Sequence, residues 1–247
     1  MIDYNQYIMS VREKIFYVIT AAIVIFVIGL IFYRNCLIAL LLCPLALFYP
    51  EIKRKEIIKR RKAELSIQFK DMLYSLSSSL SAGKSVELAI KDIVNDLEII
   101  YPEADAYINQ EIKWMIRNLE MNQPIELLFH DFAQRSGIDD IYNFSEVFSV
   151  ANRAGGNLIE VIKNTSSIIN DKIEIQQEID IMLAEKKFEQ RILNIIPILI
   201  ILLLSIYAED YIKPVFYTLP GRIVMTICLL LFIAAFLISK KISDIRV

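Results

Sequence analysis

The stretch IFYVITAAIVIFVIGLIFY, residues 15–33, contains no charged side chain. A helix needs about 20 apolar residues to cross the hydrocarbon core of a bilayer, so this stretch predicts a membrane-spanning helix. It is long and ends in the bulky residues Phe32 and Tyr33 rather than at a small-residue cleavage site. We therefore expect an anchor that stays in the membrane, not a cleaved signal peptide.

Three further uncharged stretches lie at 36–49, 192–207 and 223–239. The last is long enough to span, the third is close to the minimum, and the second is short. Because only Arg34 and Asn35 separate the second stretch from the first, a tight hairpin with local bilayer thinning is favoured over a buried or re-entrant segment. The chain is 55% hydrophobic and 23% charged. The four uncharged stretches are predicted to lie in the membrane, and the charged residues lie outside them.

Basic residues are densest directly after the second stretch, in what we call the basic segment (residues 53–62). Lysine and arginine collect on cytoplasmic flanks, so the block 50–191 is predicted to be cytoplasmic. The ends 1–14 and 240–247 are also basic, which places both termini in the cytoplasm, whereas the loop 208–222 has no such bias and is predicted to be external. The cations of the basic segment are Lys53, Arg54, Lys55, Lys59, Arg60, Arg61 and Lys62.

Such a cluster ordinarily fixes topology and contacts anionic lipid. A contact with a cytoplasmic partner would be an addition to that role, not a rival to it.

The block 50–191 shows helical spacing of apolar residues throughout, and no two-residue alternation competes with it. Its stripes predict about six helices, and the first stripe is Leu65, Phe69, Met72, Leu76 and Leu80. The connections between the helices are short, so neighbouring helices are predicted to be antiparallel. The fold class is therefore all-α: a multi-pass membrane protein with a helical bundle between two transmembrane hairpins, 15–49 and 192–239. The last helix of the bundle has no Pro or Gly from 157 to 196, so it is predicted to continue into the third stretch as a mechanical link.

Two glycine turns punctuate the block. Gly83 suits the left-handed end of one helix and Ser85 the cap of the next. Gly155 and Gly156 with Asn157 read as a second helix end followed by a capped start. The two turns resemble each other, which is compatible with two three-helix halves, although ordinary helix-hairpin chemistry is the favoured interpretation.

No pattern indicates catalysis or a cofactor. The run Gly83-Lys84-Ser85 lacks the earlier glycine of a phosphate-binding loop, because Ser78 stands there, and it follows an amphipathic helix instead of a strand. The single histidine, His130, has no second histidine or thiol nearby in sequence to complete a metal site. The predicted spans contain no Asp, Glu, Lys, Arg or His, which disfavours an ion-coupled transporter. We expect a non-enzyme without metal, cofactor or nucleic-acid partner.

Four short motifs resemble the type II secretion system F domain, the family of pilus and secretion platform proteins. The first pair is QFxDML followed by SAGKS, and the second pair is SEVF followed by AGGNL. They stand in the family's order at 68–73, 81–85, 145–148 and 154–158. The pattern YxKPVF at 211–216 with Gly221 and Arg222 is similar to the TadB branch, which with its partner TadC assembles Flp-type (tight adherence) pili.

This resemblance implies a non-enzymatic, multi-pass protein of the inner membrane. Its implied partners are a cytoplasmic hexameric secretion ATPase, a paired F-domain membrane protein, pilin subunits and the lipid bilayer, in a homo- or hetero-oligomer. The implied task is to couple the ATPase to pilin extraction and filament assembly. A membrane-anchored helical scaffold or signalling protein unrelated to pili is the alternative.

Overall fold

A computed structural model describes residues 1–103, 106–154 and 158–243. These residues form helices and connecting turns, and no strand occurs among them, so the predicted all-α class is confirmed. A 3-10 helix at Cys43–Phe48 joins the second and third α-helices. The α-helices are α1 (Val11–Tyr33), α2 (Cys36–Leu42), α3 (Tyr49–Ser81), α4 (Val86–Ile100), α5 (Tyr107–Glu120), α6 (Ile125–Ser136), α7 (Asp139–Ala154), α8 (Leu158–Tyr207), α9 (Glu209–Tyr217) and α10 (Leu219–Ser243).

Helix α1 begins with a reciprocal cap. The Ser10 side chain accepts from the Glu13 backbone N–H, and the Glu13 carboxylate accepts from the Ser10 N–H. The helix ends at Arg34, whose φ of 44° is left-handed. Its apolar side chains are mostly exposed or half-buried, and only Ala21, Gly29 and Phe32 of the helix are buried, as expected for a surface that faces lipid.

In the part of the chain that the structure describes, four helical segments are long and apolar enough to cross a membrane: Val11–Tyr33, Cys36–Ser81, Ile159–Tyr207 and Leu219–Ser239. The second is interrupted, because α2 gives way to the 3-10 helix, whose first turn holds Pro44. Proline has no backbone N–H to continue the α-helical pattern. Helix α2 packs closely on α1, since a Cβ atom on Gly29 would lie 3.0 Å from the Ala39 Cα.

The segment 208–222, predicted as a loop, contains helix α9 and the first turn of α10. A glycine is required at the turn between them, because a Cβ atom on Gly221 would lie 2.5 Å from the Val215 carbonyl oxygen. Phe216 is buried in a small cluster of apolar side chains from α1, α9 and α10. That cluster is Phe32, Ile212, Phe216, Met225 and Leu229.

The chain divides into two compact units. The helical unit comprises Met1–Ile8 and Arg54–Ile175, and the apolar unit comprises Met9–Lys53 and Gln176–Val247. The core of the helical unit buries the predicted stripe of α3 completely or almost so: Leu65, Phe69, Met72, Leu76 and Leu80.

Aromatic rings hold the middle of this core. Phe144 packs edge-on against Phe69 and Phe129, with ring centroids 5.5 and 5.2 Å apart, and Phe129 also contacts Phe148. Each such pair adds roughly 0.5–1.5 kcal/mol beyond the burial of its surface. Helices α3, α6 and α7 are thereby fixed to one another.

Candidate functional site

The residues at 1–8, which the sequence predicts only as a cytoplasmic terminus, lie against the helical unit and belong to it. We call them the N-terminal segment. Tyr4 is fully buried, and its ring meets the edge of Tyr107 at 5.5 Å. The Tyr4 backbone N–H donates to the Arg135 carbonyl at 3.0 Å, and Asn5 Nδ2 donates to the carbonyls of Gln134 and Arg135 at 3.2 Å. The segment is therefore an integral part of the folded unit.

A buried ion pair lies beneath this segment. Arg135 on α6 donates from Nη1 to Glu111 Oε1 at 2.8 Å and from Nη2 to Glu111 Oε2 at 2.7 Å. Glu111 is 1% exposed, and its Oε1 also accepts the Tyr4 hydroxyl at 2.9 Å. Arg135 Nε donates to Asp131, one turn earlier on the same helix, at 2.7 Å. A bidentate pair of this kind fixes both side chains in one geometry.

The environment of the ion pair shifts the pKa values of Tyr4 and Arg135. Burial, with the negative charge of Glu111 and its hydrogen bond, raises the pKa of Tyr4 far above its usual value. Burial alone would lower the pKa of Arg135, but the hydrogen bonds and charges of Glu111 and Asp131 outweigh it and raise that pKa. Tyr4 therefore stays neutral as a donor, and Arg135 stays charged.

Two residues of the basic segment hold the N-terminal segment in place. Lys62 Nζ donates to Asn5 Oδ1 at 2.7 Å and to the Gly137 carbonyl at 2.9 Å. The Arg61 guanidinium lies over the Tyr7 ring, 4.3 Å from its centroid. Lipid or partner contact was predicted for the whole basic segment, yet in the structure these two residues have intramolecular roles.

The other cations of the basic segment lie on the same helix, α3. Lys53 is half-buried, whereas the rest of this set is exposed. The exposed members are Arg54, Lys55, Lys59 and Arg60.

Gly137 makes the docking of the N-terminal segment possible. It ends α6 in the left-handed region, with φ 55°, and its N–H donates to the Ala133 carbonyl. A Cβ atom at this position would collide with Asn5 Oδ1 and lie 2.7 Å from Lys62 Nζ. A glycine thus serves both the backbone conformation and the close approach.

The predicted turn residues are placed as follows. Gly83 follows α3 with φ 81°, and the Ser85 hydroxyl accepts from the Leu88 N–H at 3.4 Å as the N-cap of α4. Gly155, Gly156 and Asn157 lie outside the described residues.

The QFxDML motif organises the start of α5, where Ala106 provides no side-chain cap. Gln68 Oε1 accepts from the Ile108 N–H at 3.0 Å, and the Asp71 carboxylate accepts the Tyr101 hydroxyl at 2.5 Å. Burial, reinforced by the Asp71 hydrogen bond and charge, raises the pKa of Tyr101. The motif therefore joins α3 to the connection before α5.

The sequence contained little signal for the Tyr4, Glu111 and Arg135 cluster. Glu111 falls on the apolar face of α5, between Ile108 and Ile112, where a carboxylate must find a cation. The position of Glu111 on an apolar face indicates that it needs a cation as a partner, but nothing in the sequence spacing identifies Arg135 as that cation. Among the described residues, no group of three or more His, Cys, Asp or Glu is placed to hold a metal ion.

The helices and the four candidate spans define an all-helical, multi-pass membrane protein. A family model described as "Type II secretion system (T2SS), protein F" matches residues 72–206, more than half of the 247-residue chain. The chain belongs to this family, which confirms the resemblance at family level. No curated protein and no solved structure matches it.

Proteins of this family are inner-membrane platform components of secretion and pilus systems, and they work in membrane assemblies with ATPases and other secretion components. The matched range covers α4 to α7, most of α8 and the last part of α3, and leaves the N-terminal segment outside.

Proposed function

We propose that this chain is the inner-membrane platform protein of a Flp-type (tight adherence) pilus machine. In this role it couples a cytoplasmic hexameric secretion ATPase to the extraction of pilin subunits and their assembly into a filament. The observation that carries the proposal is the family match over residues 72–206 in a chain with four candidate spans.

The TadB or TadC branch is favoured by the arrangement of these parts. The resemblance implies two F domains in the classical secretion and type IV pilus platforms, whereas this chain has one matched range with candidate spans before and after it. The YxKPVF pattern also corresponds to a close contact in the structure. Its residues Pro214 and Val215 lie on α9, and the Gly221 backbone packs against them. A paired F-domain protein would complete the platform as a hetero-oligomer.

Helix α8 supports the coupling role. It is one helix of 50 residues that includes part of the helical unit and the apolar stretch 192–207. Because α8 has no proline before Pro197, we propose that movement imposed on its first part is passed along the helix toward the apolar stretch. The ATP chemistry belongs to the partner, and the platform itself is not an enzyme. Both chain termini and the helical unit are on the cytoplasmic side.

The exposed cations Lys55 and Arg60 are candidate contacts for the ATPase or for anionic lipid.

Affinity purification of the full chain in a mild detergent tests its association with the ATPase. We expect a hexameric secretion ATPase and a second F-domain protein to co-purify, and Lys55→Glu with Arg60→Glu to weaken the ATPase band. Recovery of other partners without any ATPase would favour the scaffold alternative.

A further inference from the structure

A polar cleft of about 580 Å³ lies between α3 and α8 within the helical unit. Its lining among the described residues consists of serines and two lysines together with Asp71, Tyr74 and Asn170. The groups that matter for binding are Lys70, Ser77 and Ser78 on α3 and Lys163, Ser166 and Ser167 on α8. Neighbouring helices of a folded core usually pack through apolar side chains. The cleft between α3 and α8 therefore differs in composition from the core of the helical unit.

The charge of the cleft is positive. Lys70 Nζ lies 3.3 Å from Asp71, and the Asp71 carboxylate also accepts the Tyr101 hydroxyl. The single acid of the cleft is thus already engaged. Lys163 is exposed and makes no ion pair or hydrogen bond with any described residue. One uncompensated cation therefore faces the opening.

Ser166 provides an independent indication of a ligand. It is only 8% exposed, it lines the cleft, and it has no hydrogen-bond partner among the described residues. Hydroxyls on helices commonly satisfy themselves, as Ser81 does with the Ser77 carbonyl and Thr165 with the Val161 carbonyl, both at 2.8 Å. The Ser166 oxygen is not fully enclosed by protein, so its hydroxyl is open to the cleft and can donate to a ligand there.

We propose that the polar cleft binds a phosphate-bearing ligand, whose oxygens accept hydrogen bonds from Lys163, Ser166 and Lys70. The two lysines supply charged donors, and a phosphate group offers several anionic oxygens to donors that approach from two helices. A soluble phosphate compound and a phospholipid headgroup share this chemistry. The site does not depend on the pilus role, so either proposal can fail without the other.

The test uses the full chain in an uncharged detergent, titrated with inorganic pyrophosphate and followed by calorimetry. A second arm reconstitutes the chain in nanodiscs of phosphatidylcholine with phosphatidylglycerol and measures retained lipid by mass spectrometry. Lys163→Met removes one charged donor, which is expected to weaken binding roughly tenfold or more. Ser166→Ala should weaken it by a smaller factor.

The matched control is Lys91→Met, an exposed lysine on α4 away from the cleft. Pyrophosphate binding that Lys163→Met weakens and Lys91→Met does not would identify a soluble ligand class. Loss of retained phosphatidylglycerol in the same pattern would identify a lipid headgroup. If neither probe binds, or if all variants bind equally, the proposal is wrong. Circular dichroism of each variant checks that the helices remain folded.

Discussion

The guanidinium of Arg135 donates one hydrogen bond to each carboxylate oxygen of Glu111, across α6 and α5. Because Glu111 is almost fully buried, the pair is shielded from solvent, and the Tyr4 hydroxyl adds a third donor to the same carboxylate. The pair thus links two helices of the unit to the N-terminal segment. Only Met9 and Ser10 separate that segment from α1, the first candidate span.

Arg135→Met is predicted to destabilise the helical unit by about 3–5 kcal/mol, because it leaves the Glu111 charge buried without its cation. The measurement is thermal unfolding of the detergent-solubilised chain by circular dichroism. Fluorescence of the single tryptophan provides a local readout, since Arg135 lies over the Trp114 ring at 5.2 Å. Arg117→Met, an exposed arginine on α5, is the control. Equal destabilisation by both variants would contradict this account of the pair.

Gly137→Ala and Gly83→Ala form a matched comparison of two glycines with positive φ. Gly83 has open space around it, so alanine there costs only the backbone strain, on the order of 1 kcal/mol. At Gly137 the new methyl group also displaces Asn5 and Lys62.

Hydrogen exchange by mass spectrometry should therefore show faster exchange at residues 2–8 in Gly137→Ala, with no such change in Gly83→Ala. Unchanged exchange of the N-terminal segment in Gly137→Ala would show that these contacts do not hold it.

The two buried tyrosines predict a loss of stability in alkali. Burial and acidic neighbours raise the pKa of Tyr4 and of Tyr101 in the folded protein. In the unfolded chain, tyrosine side chains ionise at about pH 10. A raised folded-state pKa contributes stability that is fully present below about pH 10 and falls as pH rises toward the folded value. Thermal midpoints measured at about pH 8.5 and 10.5 should therefore differ.

Tyr4→Phe should reduce that difference, because it removes one of the two titrating groups. Tyr74→Phe is the control, since the Tyr74 side chain is 75% exposed. An alkaline loss that is the same in wild type and Tyr4→Phe would contradict the assignment to Tyr4.

The helical periodicity was sufficient to predict much of the fold. The stripe from Leu65 to Leu80 is buried as expected, and the uncharged stretches all lie within helices. Periodicity shows only which face of a helix is apolar. It could not predict the burial of Tyr4, because Tyr4 lies in a segment too short to show a period. Likewise, the Glu111–Arg135 pair joins residues far apart in sequence, which only the packing of α5 on α6 brings together. The second stretch was ambiguous for a local reason, because Pro44 changes the type of helix within it.

A break in α8 should separate folding from function if this helix is the mechanical link. Glu178 is exposed and lies between the helical unit and the apolar stretch 192–207 in sequence. Glu178→Pro removes a helical hydrogen bond and costs about 3 kcal/mol locally, whereas Glu178→Ala leaves the helix intact. We expect both variants to accumulate in the membrane but only Glu178→Ala to support filament assembly, as scored by electron microscopy of surface filaments. Filaments of normal number in Glu178→Pro would argue against a rigid α8.

The most direct measurement is the fate of pilin in cells that lack this gene. Pilin is quantified by immunoblot in inner-membrane and surface fractions of the deletion strain, with and without the wild-type gene supplied in trans. The platform role predicts that pilin accumulates in the inner membrane, that surface filaments disappear, and that the wild-type gene restores both. Unchanged surface pilin and filaments in the deletion strain would contradict it.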